Sequence, residues 1–386
     1  MNVLFISASR YPNNSAEAIR LHYLAGLFSV DHPVEIVYRG TTQDELNRRI
    51  KHCGVSREKL LNGNIIARGL DYLLFTSQVK RYLMQSDRKI GAIVVCAMPT
   101  ATLRFLLRYC KVHQIMLIHD AVEWYSAEEF KFGRFSRLYR KKELWMTKLL
   151  CRDVRIIAIS HYLEDYFKGI GNRCVYIPSM IDTGKICCTA EEIEERKQNE
   201  RIKLVYAGSP LKKDYLSVAL EGIALLNPDE IARLNIVIIG VTHEQAAANR
   251  ISDEVLRKLD QSITFMGRIP RDVVFKNLKT ANYTMLLRPA EQRYAKAGFP
   301  TKVPESMTLG VPVICNYSSD LSCYLKDGVN SVEVENCTPE AMVVSMLRVL
   351  SYSKEKMNEM ATNTRRTAEE YFDYKVYLEQ VRKILE

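Results

Sequence analysis

The stretch AGFPTKVPESMTLGVPVI, Ala297 to Ile314, sets Lys302 and Glu305 three positions apart at the start of an expected helix. Thr301 is the expected N-cap, and Pro304 fits a first turn, where no intrahelical N–H bond is lost. Gly310 and Pro312 are expected to end the helix. Phosphate oxygens at such an N-terminus would meet free backbone N–H groups and the Lys302 ammonium. A carboxylate one turn further in suits a vicinal diol, because each of its oxygens accepts one hydrogen bond. The plainer reading of Glu305 is a charge that complements the helix dipole.

Further cations occupy comparable settings. Lys212 and Lys213 follow LVYAGSPL, Arg268-Ile269-Pro270-Arg271 follows SITFMG, and Arg288 follows NYTMLL. Each lies just beyond an apolar run, and most precede a helical pattern. Cations beside helix N-termini make a site for a phosphate-bearing ligand. The plain alternatives are a solvated helix start for the two lysines and a simple turn for 268–270. No loop carries GxxxxGK[ST], which argues against a P-loop nucleotidase. No GxGxxG follows the first apolar run, which weakens a nicotinamide dehydrogenase.

The elements that must position these residues recur along the chain. NVLFIS (2–7), VEIVYR (34–39), GAIVVCA (91–97), QIMLIHD (114–120) and VRIIAIS (154–160) read as buried strands separated by helical segments. After a charged stretch, 190–203, the pattern restarts with IKLVYAG, LNIVIIG, SITFMG, NYTMLLR and VPVICN. Near-continuous apolar strands alternating with helices indicate parallel sheets covered on both faces. The expected fold class is therefore α/β, with two successive doubly wound units. The expected boundaries are 1–183, a polar linker at 184–201, 202–365, and helices at 366–386, the last spanning roughly 374–385. Open parallel sheets bind ligands beyond the carboxyl ends of their strands, so the loops there matter most.

Composition bounds the partners. A net charge of +10 favours an anionic one: nucleic acid, an anionic membrane or a phosphorylated ligand. Ten Cys lie without CxxC or Cys/His zinc spacing, as expected of reduced thiols in a cytoplasmic protein. No apolar run approaches the ~20 residues of a membrane helix. MNVLFISASRYP lacks the basic start of a secretory signal. Nucleic-acid binding lacks an aromatic–basic recognition motif and is set aside.

Several blocks together resemble a known family. They are the Gly–Ser–Lys-Lys-Asp loop at 208–214, FMGRIP at 265–270, GFPTKVPESMTLGVPVICN at 298–316, IHDAVEW at 118–124, and AISHYLEDYF with IPSMID in 158–182. The chain resembles glycosyltransferase family 4, retaining enzymes of the GT-B fold that use nucleotide-sugar donors. The resemblance covers nearly the whole chain and is strongest in its second half. It implies two facing Rossmann-like domains, the second binding donor, the first binding acceptor, and a last helix that crosses back.

The resemblance also assigns residues. Glu305 becomes the second acid of a Glu–seven residues–Glu motif and accepts from the ribose hydroxyls. The first acid falls at Ala297, so Gly298, Phe299, Pro300 and Thr301, through their backbone, or Lys296, are left to meet the sugar. Lys213 neutralises the leaving diphosphate, a role in which a fixed cation stabilises developing charge. Ser209 stands after Gly208 where many members have Arg, so Arg288 or Lys302 supplies the second charge. Arg268 and Ile269 lie by the nucleobase. Asn14 occupies the place of a glycine-rich loop, and Arg20 on the next helix is a candidate phosphate contact. Asp120 is favoured over His119 and Glu123 for holding the acceptor hydroxyl or the donor sugar, with Trp124 either a sugar platform or core. No Asp-x-Asp occurs, so no metal is expected on the diphosphate and no cofactor beyond the donor itself.

Lys131 to Arg152 carries eight basic residues and one acid, Glu143. Arg134, Arg137, Lys141 and Lys148 run beside Phe135, Leu138, Trp145 and Leu149, the profile of a helix lying on an anionic membrane. That points to a lipid-linked saccharide acceptor of surface polysaccharide synthesis and to a peripheral location on the inner membrane face. A helix packed on the sheet is the alternative. Ala297 and Ser209 leave open a catalytically silent relative that serves as a partner or scaffold subunit.

Overall fold

The structure is a computed structural model and describes residues 1–11, 15–42, 50–85, 89–208, 213–248 and 251–386. The chain forms two units, Met1–Met180 with Tyr374–Glu386, and Ile181–Asp373. Unit 1 holds a seven-stranded sheet in the order β3-β2-β1-β4-β5-β6-β7. Its strands are β1 Asn2–Ser7, β2 Val34–Tyr38, β3 Ile50–Gly54, β4 Ile90–Val95, β5 Met116–Ala121, β6 Arg155–Ala158 and β7 Cys174–Tyr176. Its helices are α1 Ala16–Phe28, α2 Glu58–Leu61, α3 Ile65–Met84, α4 Thr100–His113, α5 Arg137–Leu144 and α6 His161–Gly169. All neighbouring strands run parallel, as in the register Phe5↔Ile36 and Phe5↔Val94. Every residue of β2 is buried, which explains why it is apolar apart from Glu35.

Unit 2 holds α7 Ala190–Lys197, β8 Ile202–Ala207, α8 Leu216–Ile223, α9 Pro228–Ala232, β9 Leu234–Ile239 and α10 His243–Ala248. It continues with α11 Asp253–Leu259, β10 Ile263–Gly267, α12 Arg271–Lys279, β11 Tyr283–Leu286, α13 Arg293–Ala297 and α14 Lys302–Met307. β12 Val313–Cys315, β13 Ser331–Glu333, α15 Pro339–Ser351 and α16 Lys354–Tyr371 complete it. Its sheet is again parallel, in the order β10-β9-β8-β11-β12-β13. Strand order reverses between β1 and β4 in unit 1 and between β8 and β11 in unit 2, the switch points where such sheets bind ligands.

The stretch expected as a linker, 184–201, lies within unit 2. Arg196 of α7 is buried and donates to the carbonyls of Leu309 and Gly310 at 3.1 and 3.0 Å. The return to unit 1 begins at Tyr374 rather than 366, because α16 stays in unit 2, where Phe372 packs on Phe299. The last helix, α17 Leu378–Leu385, buries Val381 and Ile384 in the unit 1 core with Phe5 and Leu24. The basic stretch 131–152 is not one helix. Gly133 takes a φ of 50°, the Ser136 side chain caps α5 by accepting from Tyr139 N–H, and a π-helical turn, Trp145–Leu149, follows. Phe135 and Leu138 stay exposed, whereas Trp145 is buried and donates to Thr100 Oγ1 at 2.9 Å, so the expected apolar stripe divides.

Candidate functional site

In unit 2 the loops after the two switch-point strands deliver the cations. Gly208, just past β8, takes a φ of 151°, and a Cβ there would stand 2.5 Å from Lys302 Nζ. Gly240, past β9, is equally constrained: a Cβ would meet the Gly208 carbonyl oxygen at 2.3 Å. The glycines thus let Lys302 cross the end of β8. Its ammonium donates to Tyr206 Oη at 3.0 Å, lies 4.3 Å from that ring's centroid, and pairs with Asp214 Oδ2. Arg288 Nε donates to Asp214 Oδ1 at 2.9 Å, and Tyr206 Oη donates to Oδ2 at 2.9 Å. Asn316 fixes Arg288 by accepting from its N–H at 2.8 Å and donating to its carbonyl at 2.7 Å.

Two cations therefore share one buried carboxylate. Burial pushes the Asp214 carboxyl up, but Lys302 and Arg288 outweigh it and hold the group below the usual carboxylate range. Burial pushes the Lys302 ammonium down, against the pull of Asp214. Glu305, three residues into the chain from Lys302, accepts from Arg271 Nη2 at 3.0 Å. Burial raises its carboxyl above the usual range, and Arg271 and Lys302 oppose the rise. Thr301 makes no side-chain cap, since its backbone is already helical at φ −59° and ψ −23°. α14 spans only six residues, so its aligned dipoles are few and a bound anion relies chiefly on the side-chain cations.

Other expected residues fall differently. The Lys213 ammonium lies 5.8 Å from the Tyr294 ring centroid, and Arg268 is exposed with Ile269 half-buried beside it. Phe299 is core, edge-on to Tyr324 and Phe372, so only its backbone is available to a ligand. Gly298 and Pro300 are buried too, and Ala297 is fully buried at the end of α13. Asn14 and Ser209 lie outside the described residues, as does Lys212. Asp214 and Tyr206 carried no expected role, and Arg271, expected only as one of the loop cations, is the partner of Glu305. Asp214 was visible in LKKD but overshadowed by its lysines, and Tyr206 read as strand core. Among the described residues no cluster of three His, Cys, Asp or Glu could hold a metal.

In unit 1, Asp120 and Arg20 come together, but with each other. Arg20 donates Nε to Asp120 Oδ2 at 2.9 Å and Nη2 to Oδ1 at 2.8 Å. Its Nη1 and Nη2 also donate to the carbonyls of Pro178 and Ile177, at 2.6 and 3.0 Å. Both residues are buried. The pair ties α1 to β5 and the end of β7, so a phosphate or sugar meeting either side chain would compete with this bond, although Asp120 lines a cavity beyond β4 and β5. Trp124 is also largely structural, donating to Glu143 at 3.1 Å with its ring 4.4 Å from that of Tyr166.

A cavity of about 70 Å³ opens beyond β4 and β5, lined by Glu17, His119, Glu123, Tyr125, Lys142 and Trp145 among others. His119 is buried, its Nδ1 has no hydrogen-bond partner among the described residues, and its ring lies edge-on to Trp145 at 5.8 Å. Burial, helped by Lys142, pushes its pKa down to about 4, so the imidazole is neutral near pH 7. This predicts a pH effect. Between the ordinary His value of about 6.5 and about 4, the unfolded chain takes up a proton that the folded chain refuses. Stability should fall by about 2–3 kcal/mol as pH drops through that window. Denaturant unfolding of His119→Gln should lose most of the slope; a slope equal to the parent's would refute the assignment.

Two doubly wound parallel units, the second with cations gathered at its switch point, have the GT-B fold seen in solved glycosyltransferases. Residues 189–367, most of unit 2, match the family described as Glycosyl transferases group 1. No curated protein matches the sequence significantly. The fold is similar to that of Anabaena HepE, solved with UDP and glucose, at 15% identity and a TM-score of 0.70 over 100% of this chain and 99% of that one. Sucrose-phosphate synthase of Thermosynechococcus elongatus follows at 14% identity and a TM-score of 0.69, covering 99% and 98%. WaaG, a glycosyltransferase involved in lipopolysaccharide biosynthesis, gives 14% and 0.66, covering 98% and 99%.

Proposed function

We propose that this glycosyltransferase moves a sugar, with retention and without a metal, from a nucleotide diphosphate donor to a lipid-linked saccharide. The observation that carries the reading is the Lys302–Asp214–Arg288 cluster. One buried carboxylate between two cations leaves a net positive charge at the β8/β11 switch point, suited to a diphosphate. Glu305, held by Arg271, faces the ribose diol, and Lys213 adds a cation for the departing diphosphate. In unit 1, His119 and Glu123 replace Asp120 as the groups that meet the acceptor. The UDP and glucose bound by Anabaena HepE support UDP as the first base to test. A titration with UDP, GDP and their sugars, followed by Lys213→Ala and Glu305→Ala, tests this. Donor affinities equal to the parent's in both variants would refute the donor site.

A catalytically silent partner subunit remains the second reading, because Ala297 offers no acid to the sugar. Nucleotide binding without hydrolysis or transfer of any donor would favour it.

The lipid-linked acceptor rests on the segment after β5. Phe132, Phe135 and Leu138 are exposed among Lys131, Arg134, Arg137 and Lys141. At roughly 1 kcal/mol per basic residue near an anionic surface, reversing three charges should weaken binding strongly. Flotation with anionic vesicles is expected to lose most of the protein on Arg134→Glu, Arg137→Glu and Lys141→Glu together. Unchanged flotation would refute docking through this segment. Among the described residues no helix is long and apolar enough to cross a membrane.

A further inference from the structure

The first two turns of α3 stand clear of the body of unit 1. Ile65, Ile66, Leu70 and Leu73 are 78%, 77%, 46% and 71% exposed, whereas Phe75, Val79 and Leu83 further along are buried. Ile66, Leu70 and Leu73 recur at i, i+4 and i+7, so they share one helix face. α3 is therefore apolar toward the sheet and apolar toward solvent as well. A surface helix ordinarily carries polar residues on its outer face, and a contiguous exposed apolar patch marks a binding surface.

Charge identifies the occupant. From Arg57 through Leu70 the charged residues are Arg57, Glu58, Lys59 and Arg68, all exposed, three cations against one acid. Asp71 does not offset them at the surface: it is buried, accepts from Ser56 Oγ at 3.0 Å and lies 3.8 Å from Arg39 Nε. Two copies packed through this face would bring like charges together, whereas an anionic lipid surface accepts both the apolar side chains and the cations. The fold adds continuity with the exposed aromatic segment after β5. Thr76 and Thr102 share a hydroxyl hydrogen bond of 2.8 Å between α3 and α4. Trp145, just after α5, donates to Thr100 at the start of α4. Both exposed patches follow strands of one parallel sheet, β3 and β5, with α4 bridging them.

We infer that Ile65, Ile66, Leu70 and Leu73 insert into the interfacial layer of an anionic membrane, with Lys59 and Arg68 against the headgroups. α3 is then a second membrane element beside the 131–141 segment, and the inference rests on the membrane reading given above. The test uses the full chain with vesicles of equal parts phosphatidylcholine and phosphatidylglycerol. Ile66→Ser with Leu73→Ser should weaken flotation by about tenfold or more, with donor binding unchanged. In a separate variant, Ile66→Trp should be quenched by brominated lipid. Parent-like flotation of the double variant, or no quenching of Ile66→Trp in floated protein, overturns the inference. If the parent floats and only the Arg134, Arg137 and Lys141 reversal loses it, the α3 inference alone falls. If the parent does not float, both readings fall. A parent dimer that Ile66→Ser with Leu73→Ser converts to monomer would give the face to a second copy, and would also overturn it.

Discussion

Lys302→Ala is expected to lower turnover by about 10²–10³-fold, the loss typical of removing one fixed donor from a site of developing negative charge. The ammonium is held by Tyr206 and Asp214 before any ligand arrives, so little reorganisation is needed when charge develops. Removing it leaves Asp214 paired with Arg288 alone, and the net positive charge of the cluster disappears. Lys302→Arg should rescue poorly. The lysine passes over Gly208 with no room for a Cβ beneath it, and a planar guanidinium does not fit where a point charge does. Asp214→Asn should behave differently. It leaves two cations near each other without their carboxylate, at a stability cost of about 3–5 kcal/mol. Because the Asp214 carboxyl is held below its ordinary range, its stabilising contribution is complete above that range and is lost only as pH falls through the lowered value. UDP binding by calorimetry, thermal melts and donor turnover separate the two effects. Parent-like UDP affinity and turnover in Lys302→Ala would remove the cluster from the mechanism.

The architecture was legible because parallel strands buried on both faces must be apolar throughout, and that pattern appears twice. β3 escaped notice since it is an edge strand whose Lys51 and His52 interrupt the apolar run. β7 and β13 are three-residue strands, too short for a periodic signal. Lys302, Arg288 and Gly208 were legible because each lies just past a strand, or at a helix start, where topology gathers ligand contacts. The residue that organises them, Asp214, was not, because pairing across 74 and 88 positions leaves no local trace. The Thr301 cap failed for a local reason: Thr301 is itself helical, whereas a capping side chain needs extended backbone. The basic stretch after β5 had helical spacing, but spacing does not reveal that Gly133 turns the chain and that Trp145 is drawn into the core.

Asp120 shows the limit most plainly, and its substitution is the second large effect expected. A carboxylate at the carboxyl end of a buried strand has the position of a catalytic group, yet its oxygens are held by Arg20, one hundred positions away. Asp120→Ala leaves a buried guanidinium with only two carbonyl partners, at a cost of about 3–5 kcal/mol. For a protein of this size that is a fall in Tm of roughly 4–6 °C. Replacing both partners with apolar residues, Asp120→Leu with Arg20→Met, should recover much of the loss, because no charge is then stranded. Turnover per folded molecule, assayed well below the melting range, should stay within a few-fold of the parent in Asp120→Asn. A catalytic Asp120 predicts the opposite pattern: an unchanged Tm with turnover down by 10²–10⁴-fold in Asp120→Asn. The two roles compete, since Arg20 Nε and Nη2 hold both Asp120 oxygens, and a substrate drawing on this carboxylate would weaken the bond that holds α1 to β5.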